Sequence, residues 1–280
     1  MNVPRLITTI PDSSWRLQER AERLALVPTM GALHEGHLSL IRAARERAER
    51  VVVSIFVNPL QFGPHEDFAA YPRDLKADLE KCAAAGVEEV FHPDASQFYP
   101  PGFQTHVEVS ELAAELCGAR RPGHFEGVAT VVYRLFQLLQ PDLAFFGEKD
   151  LQQLRVVQRM ARDLGLPVEV CGCPIVRDAD GLALSSRNQY LSPEERSQAL
   201  AIVRGLREAR AAFSAGERDP AALVERCRGA LRAAGLREDY VELRDPDSLR
   251  PVTSEAEWGS RLLVAAFAGK TRLIDNARLG

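Results

Sequence analysis

The chain has 280 residues, 46% of them hydrophobic and 26% charged, enough to bury one large core or two smaller ones. A formal net charge of −4 offers no positive field to gather nucleic acid or an anionic membrane, so neither is expected as a partner. The five cysteines (Cys82, Cys117, Cys171, Cys173 and Cys227) are odd in number and scattered, which fits reduced thiols better than a disulfide framework.

The opening MNVPRLITTIPDSSW lacks the basic start and apolar stretch of a signal peptide, and the run at 262–268 is far shorter than the roughly 20 residues that span a bilayer. A cytoplasmic enzyme is expected. Residues 24–28 read as a strand. Residues 34–50 read as an amphipathic helix, with Leu38, Ile41 and Ala44 on one face. The continuously apolar 51–57 reads as a strand covered on both faces, followed by a helix at 72–85 that stops at Gly86. Strands are expected at 87–91, 143–146 and 168–171, and helices at 128–139 and 150–164. This alternation predicts an α/β fold with a parallel sheet, whose ligands gather at the carboxyl ends of the strands. Near Pro174 the composition changes to Ala/Arg/Glu-rich helices at 193–213 and 220–234, then strands at 240–243, 261–267 and 271–275. The expected division is a Rossmann-like first domain over 1–175 and a smaller C-terminal α+β domain over 176–280.

The sharpest motif is Pro28-Thr29-Met30-Gly31-Ala32-Leu33-His34-Glu35-Gly36-His37, between the first strong strand and the first strong helix. A helix start there offers free backbone N–H groups and a positive dipole end to a phosphate. Two histidines three apart share one face of a helical turn and are placed to steady a departing pyrophosphate. Surface or capping histidines are the ordinary alternative. Zinc is disfavoured, because the metalloprotease pattern is H-E-x-x-H, this is H-E-G-H, and no cysteine cluster assists.

Three further motifs sit at comparable junctions. In Phe146-Gly147-Glu148-Lys149-Asp150-Leu151-Gln152-Gln153, Gly147 allows close approach, Lys149 supplies a point charge for phosphate, and Asp150 can cap the helix. In Leu184-Ser185-Ser186-Arg187-Asn188, two hydroxyls and a guanidinium can clamp a triphosphate, on a loop made mobile by Gly181. In Asn58-Pro59-Leu60-Gln61-Phe62, an amide at a strand's carboxyl end can hydrogen-bond a small hydroxy acid. A capped helix, a polar turn and a solvated loop are the plain readings of the three. The residues alone thus reach an α/β enzyme that binds a nucleoside triphosphate.

Over essentially its whole length the chain resembles the pantothenate synthetase (pantoate–β-alanine ligase) family. The words PTMGALHEGH, SIFVNPLQF, RPGHFEGV, FGEKDLQQL, DGLALSSRN and TRLIDN carry the likeness. The resemblance implies a Rossmann-like nucleotidyltransferase fold and an ATP-dependent ligase that makes pantothenate through pantoyl-adenylate. It implies ATP contacts at Met30, Gly31, Ala32, Leu33, His34, Glu35, Gly36 and His37. The same is implied for Gly147, Glu148, Lys149, Asp150 and Val176, and for Leu184, Ser185, Ser186 and Arg187 as a mobile phosphate clamp. By the same likeness, catalysis falls to His37 with His34, Lys149 and Arg187, pantoate to Gln61 and Gln153, and β-alanine to Gln61. Mg²⁺ is expected with the triphosphate, its carboxylate open between Asp78 and Asp150, and a homodimer is implied. Leu184 stands where many family members have Met, a volume-conserving exchange. The loop also lacks the lysines of a K-M-S-K-S signature, which points away from a tRNA synthetase. Another nucleotidyltransferase, a regulatory nucleotide-binding protein and a tRNA-binding module are the competing readings.

Overall fold

A computed structural model describes residues 3–10, 22–64 and 66–280. Residues 1, 2 and 11–15 of the opening segment therefore lie outside the described residues. Two compact units are resolved: residues 1–148 with 152–174, and residues 149–151 with 175–280.

The first unit is built on six parallel strands: β1 (Arg5–Ile7), β2 (Leu24–Thr29), β3 (Arg50–Ile55), β4 (Glu89–Phe91), β5 (Leu143–Gly147) and β6 (Glu169–Cys173). Their order is β1-β4-β3-β2-β5-β6, all neighbours parallel. The chain steps from β2 to β3 in one direction and resumes at β5 on the other side of β2. The order therefore reverses at β2, and the crevice for a ligand in such a sheet opens at the carboxyl ends of β2 and its neighbours. Three of the four motifs leave from those ends.

Helix α1 (Glu35–Arg45) buries Leu40, Ile41 and Ala44 against β2, β3 and β5. It is capped by His34 and ends at Arg45, five residues short of the expected 50. Helix α2 (Leu75–Ala84) adds Cys82 to the same core, and Gly86 ends it with a positive φ of 72° that favours glycine. Three single-turn helices follow, α3 (Ala95–Phe98), α4 (Ser110–Ala113) and α5 (Cys117–Arg120). Helix α6 (His124–Leu139) starts four residues earlier than its periodicity suggests. The reason is Gly127: a Cβ there would lie 2.3 Å from the Leu60 carbonyl oxygen, so only glycine lets this first turn close onto residues 59–61. Helix α7 (Leu151–Asp163) follows a 3₁₀ turn at Glu148–Asp150.

The second unit pairs two helices with an antiparallel sheet. Helix α8 (Pro193–Ser214) starts with a capping box in which Ser192 and Glu195 satisfy each other's backbone N–H, with Pro193 in the first turn. Helix α9 (Pro220–Ala233) is capped by Asp219. The helices approach closely at Gly205, where a Cβ would stand 2.9 Å from the Cys227 sulfur. Strands β7 (Arg237–Arg244), β8 (Arg261–Ala268) and β9 (Thr271–Arg278) form the sheet in sequence order. Among the described residues no helix is long and apolar enough to cross a membrane. None of the five cysteines is in a disulfide, and burial pushes the Cys173 thiol up to about 11 and those of Cys82 and Cys227 up to about 12.

Candidate active site

At the carboxyl end of β2 the chain makes two consecutive left-handed residues, Gly31 (φ 85°) and Ala32 (φ 51°). Asp78, on the first turn of α2 and only 2% exposed, holds this bend. Its two carboxylate oxygens accept the amide N–H of Ala32 at 2.9 Å and of Leu33 at 2.8 Å. Lys81, one turn along α2, donates to the Leu33 carbonyl at 2.6 Å. Thr29 Oγ accepts the Gly31 amide at 3.2 Å and donates to the Ser54 carbonyl at 2.7 Å. A strained backbone of this kind persists only where its surroundings over-determine it, and here four side-chain hydrogen bonds to residues 31–33 do so.

The histidines cap α1 themselves. His34 is the N-cap residue, with extended backbone, and its Nδ1 accepts the Gly36 amide at 3.1 Å. His37, three residues on, returns the bond: its Nδ1 accepts the His34 amide at 3.3 Å. The rings lie 4.1 Å apart between centroids. This differs from the expectation of free amides at the helix start. Gly36 N–H goes to a ring and His37 N–H to the His34 carbonyl at 2.8 Å. What the helix start presents is therefore imidazole. With each Nδ1 accepting, the proton of the neutral ring sits on Nε2, which makes both Nε2 atoms donors.

At the carboxyl end of β3, residues Pro59–Gln61 form one 3₁₀ turn capped by Asn58. Asn58 is 1% exposed and saturated: its Oδ1 accepts Leu60 N–H at 3.2 Å and the Tyr99 hydroxyl at 2.9 Å. Its Nδ2 donates to the Gly127 carbonyl at 3.0 Å and to Gln61 Oε1 at 3.1 Å. Asn58 thereby fixes the buried Gln61 amide, whose Nε2 donates to the Met30 sulfur at 3.2 Å. Sequence reasoning named Gln61 and quoted Asn58 in the same motif; the part of Tyr99 was invisible because it is 41 residues from Asn58.

At the carboxyl end of β5, Gly147 has open space where a Cβ would be. The two glutamines that follow divide their labour. Gln152 is buried and wholly internal, donating to the Leu112 and Glu115 carbonyls, each at 2.8 Å, and accepting Cys117 N–H at 3.0 Å. Gln153 is half-buried and makes no side-chain hydrogen bond among the described residues. Of the pair, Gln153 is the one available to a ligand.

In the second unit, residues 176–184 form a tight hairpin. Leu184 N–H donates to the Val176 carbonyl at 3.0 Å, and Asp178 N–H to the Leu182 carbonyl at 2.8 Å across the Gly181 turn. Arg196 of α8 grips Asp178 at 2.7 Å and Asp180 at 2.8 Å. Arg177 forms a two-pronged pair with the buried Asp275 at 2.6 and 2.9 Å. The mobility expected from Gly181 is thus opposed by two arginine anchors. A 3₁₀ turn, Ser186–Tyr190, follows directly, with Ser185 Oγ accepting Arg187 N–H at 3.3 Å, so Ser185, Ser186 and Arg187 share one half-buried turn. Lys149 Nζ lies 3.7 Å from Asp150, and its carbonyl accepts from Asn276 Nδ2 at 3.3 Å. The TRLIDN word thus supplies both Asp275 and Asn276 as supports. Among the described residues no group of three or more His, Cys, Asp or Glu is placed to hold a metal ion.

The family model for pantoate-beta-alanine ligase matches residues 5–278. The chain belongs to the pantoate-beta-alanine ligase family. Curated members of that family include the pantothenate synthetase of Myxococcus xanthus, 56% identical over 99% of this chain and 97% of its own. A crystal structure of pantothenate synthetase from Thermus thermophilus superposes with a TM-score of 0.93 at 49% identity, covering 98% of this chain and 99% of that one. A pantoate-beta-alanine ligase from Francisella tularensis, complexed with beta-gamma ATP and beta-alanine, matches with a TM-score of 0.82 at 32% identity over 98% and 97% of the two chains.

Proposed function

We propose that this chain joins (R)-pantoate to β-alanine at the expense of ATP, yielding pantothenate, AMP and pyrophosphate through pantoyl-adenylate. The observation that carries this is the 3.2 Å approach of Gln61 Nε2 to Met30. It sets an amide donor suited to a hydroxy acid directly beside the bend suited to a nucleotide. An acid held there meets ATP without a covalent enzyme intermediate, and catalysis reduces to orientation and charge stabilisation.

In the first step a pantoate carboxylate oxygen attacks the α-phosphorus and the bond to the departing pyrophosphate breaks. His34 and His37 direct Nε2–H donors at the charge that develops, and Lys149 and Arg187 add cationic groups. Residues 30–37, with Gly147, Glu148, Asp150, Val176, Leu184, Ser185 and Ser186, complete the nucleotide contacts in this reading. In the second step the β-alanine amine attacks the acyl carbon, loses a proton, and AMP leaves. Gln61 serves both acids in turn, and Gln153 serves pantoate.

Mg²⁺ bound with the triphosphate would neutralise phosphate charge. Asp78 is a poor partner for it, since both its oxygens already hold amides. Asp150, whose side chain is 46% exposed, is the carboxylate suited to that task. A cytoplasmic homodimer is part of the same reading.

The test is to incubate the protein with ATP, Mg²⁺ and (R)-pantoate, with and without β-alanine, and to measure AMP and pantothenate. AMP and pantothenate in equal amounts, and only with β-alanine, are expected. ATP binding without AMP release under either condition overturns the substrate assignment.

A further inference from the structure

The RPGHFEGV word has no part in the chemistry above, yet two of its side chains form a chain of contacts that ends on Gln61. Glu66 and Arg121 make a two-pronged pair, Arg121 Nε to Oε1 at 2.7 Å and Nη2 to Oε2 at 2.6 Å. Burial alone would raise the Glu66 carboxyl, but the hydrogen bonds and charge of Arg121 outweigh it and hold the group below its usual range. Arg121 Nη1 lies 2.8 Å from His124 Nε2, and His124 Nδ1 lies 2.9 Å from the Gln61 carbonyl oxygen.

The polarity of every link follows from the first. A guanidinium has only donors, so His124 Nε2 accepts. The proton of the neutral ring is then on Nδ1, which donates to the Gln61 carbonyl. His124 is 9% exposed and opens α6 at the point where Gly127 lets that helix close onto residues 59–61. Asn58 fixes Gln61 by its side-chain amide; His124 fixes it by its main chain.

We propose that Glu66, Arg121 and His124 form a positioning relay that sets Gln61 for the acid substrate. The proposal rests on the reading of Gln61 as the pantoate contact. None of the three touches the substrate in this scheme. A shift of the Gln61 amide by about 1 Å would take the acid out of line with the α-phosphorus, at a cost on the order of 10²-fold.

The experiment measures pantoate KM, ATP KM and kcat for the wild type, His124→Leu, His124→Asn, Arg121→Lys, Glu66→Gln and Gln61→Ala, with thermal melts of each. His124→Leu should raise pantoate KM about tenfold, the worth of one well-made hydrogen bond, and leave ATP KM within about twofold. His124→Asn, whose amide nitrogen stands where ring Nδ1 stood, should recover most of that loss. Arg121→Lys and Glu66→Gln should fall between, and none should exceed Gln61→Ala. Equal behaviour of the Asn and Leu variants overturns the relay, as does a rise of both KM values together or a lowered melt with unchanged pantoate KM. Should His124→Leu fail to fold, the Arg121 and Glu66 variants carry the same decision. A wild type that makes no pantothenate removes the ligase reading and the relay with it, whereas an active wild type with unmoved variants removes the relay alone.

Discussion

The bend at 29–37 and the hairpin and turn at 176–190 are both proposed for phosphate, yet they are held by different means. The bend is fixed from within: Asp78 and Thr29 are nearly inaccessible, and their partners are backbone groups. The hairpin rests in part on Arg196, whose side chain is 35% exposed and whose partners Asp178 and Asp180 are 33% and 31% exposed. Buried charge-assisted bonds are strong and indifferent to salt, while exposed ion pairs contribute little and are screened. One segment is thus a fixed template, whereas the other joins a buried anchor, Arg177 on Asp275, to one that water and ions can compete for.

The comparison can be broken most decisively at His37. His37→Ala should lower turnover by about 10²- to 10⁴-fold, the usual worth of a positioned proton-donating group. Turnover near wild type in a folded variant would end that role. The next test goes to the template itself: Asp78→Ala leaves two inner amides without an acceptor and should cost about 3 kcal/mol of stability. Denaturant unfolding showing a loss below about 1 kcal/mol would mean the bend holds itself. Gln152 and Gln153 then separate support from contact within one helix turn. Gln152→Ala should destabilise by about 2 kcal/mol with pantoate KM little changed. Gln153→Ala should do the reverse, raising pantoate KM about tenfold at unchanged stability. Identical profiles for the two would erase the distinction.

Arg196→Ala should have the smallest effect, at most about 1 kcal/mol, vanishing near about 1 M salt. The Asp180 carboxyl sits below its usual range, first through the Leu182 amide, with burial opposing and Arg196 assisting. Its contribution is therefore present above the ordinary carboxylate range and lost as pH falls through the lowered value. An Arg196→Ala deficit that survives both high salt and acid would refute the picture of a solvent-exposed anchor.

Most elements of the first unit were legible because apolar periodicity marks them: the run at 51–57 resolves into β3, and the face of Leu38, Ile41 and Ala44 into α1. Strand β1 was missed because three residues carry no period, and α6 began early because Gly127 and His124 look like punctuation when their packing partner is unknown. The motifs proposed for phosphate were readable as residue types at strand ends. What fixes them was not, since Asp78 lies 46 residues from Ala32 and Asp275 lies 98 residues from Arg177. Local spacing shows which groups are offered to a ligand; it does not show which distant side chains hold those groups still. The histidines were read as a pair on a helical face, with capping as the ordinary alternative, and they do cap that helix.

That cap ties two things to one proton. A ring that accepts a backbone amide through Nδ1 loses that ability when it is protonated, so protonating either ring would remove a cap bond from the start of α1 and change a group proposed for the nucleotide. An enzyme of this design cannot be moved to lower working pH by retuning its imidazoles alone, because the helix start must first be given a cap that does not titrate.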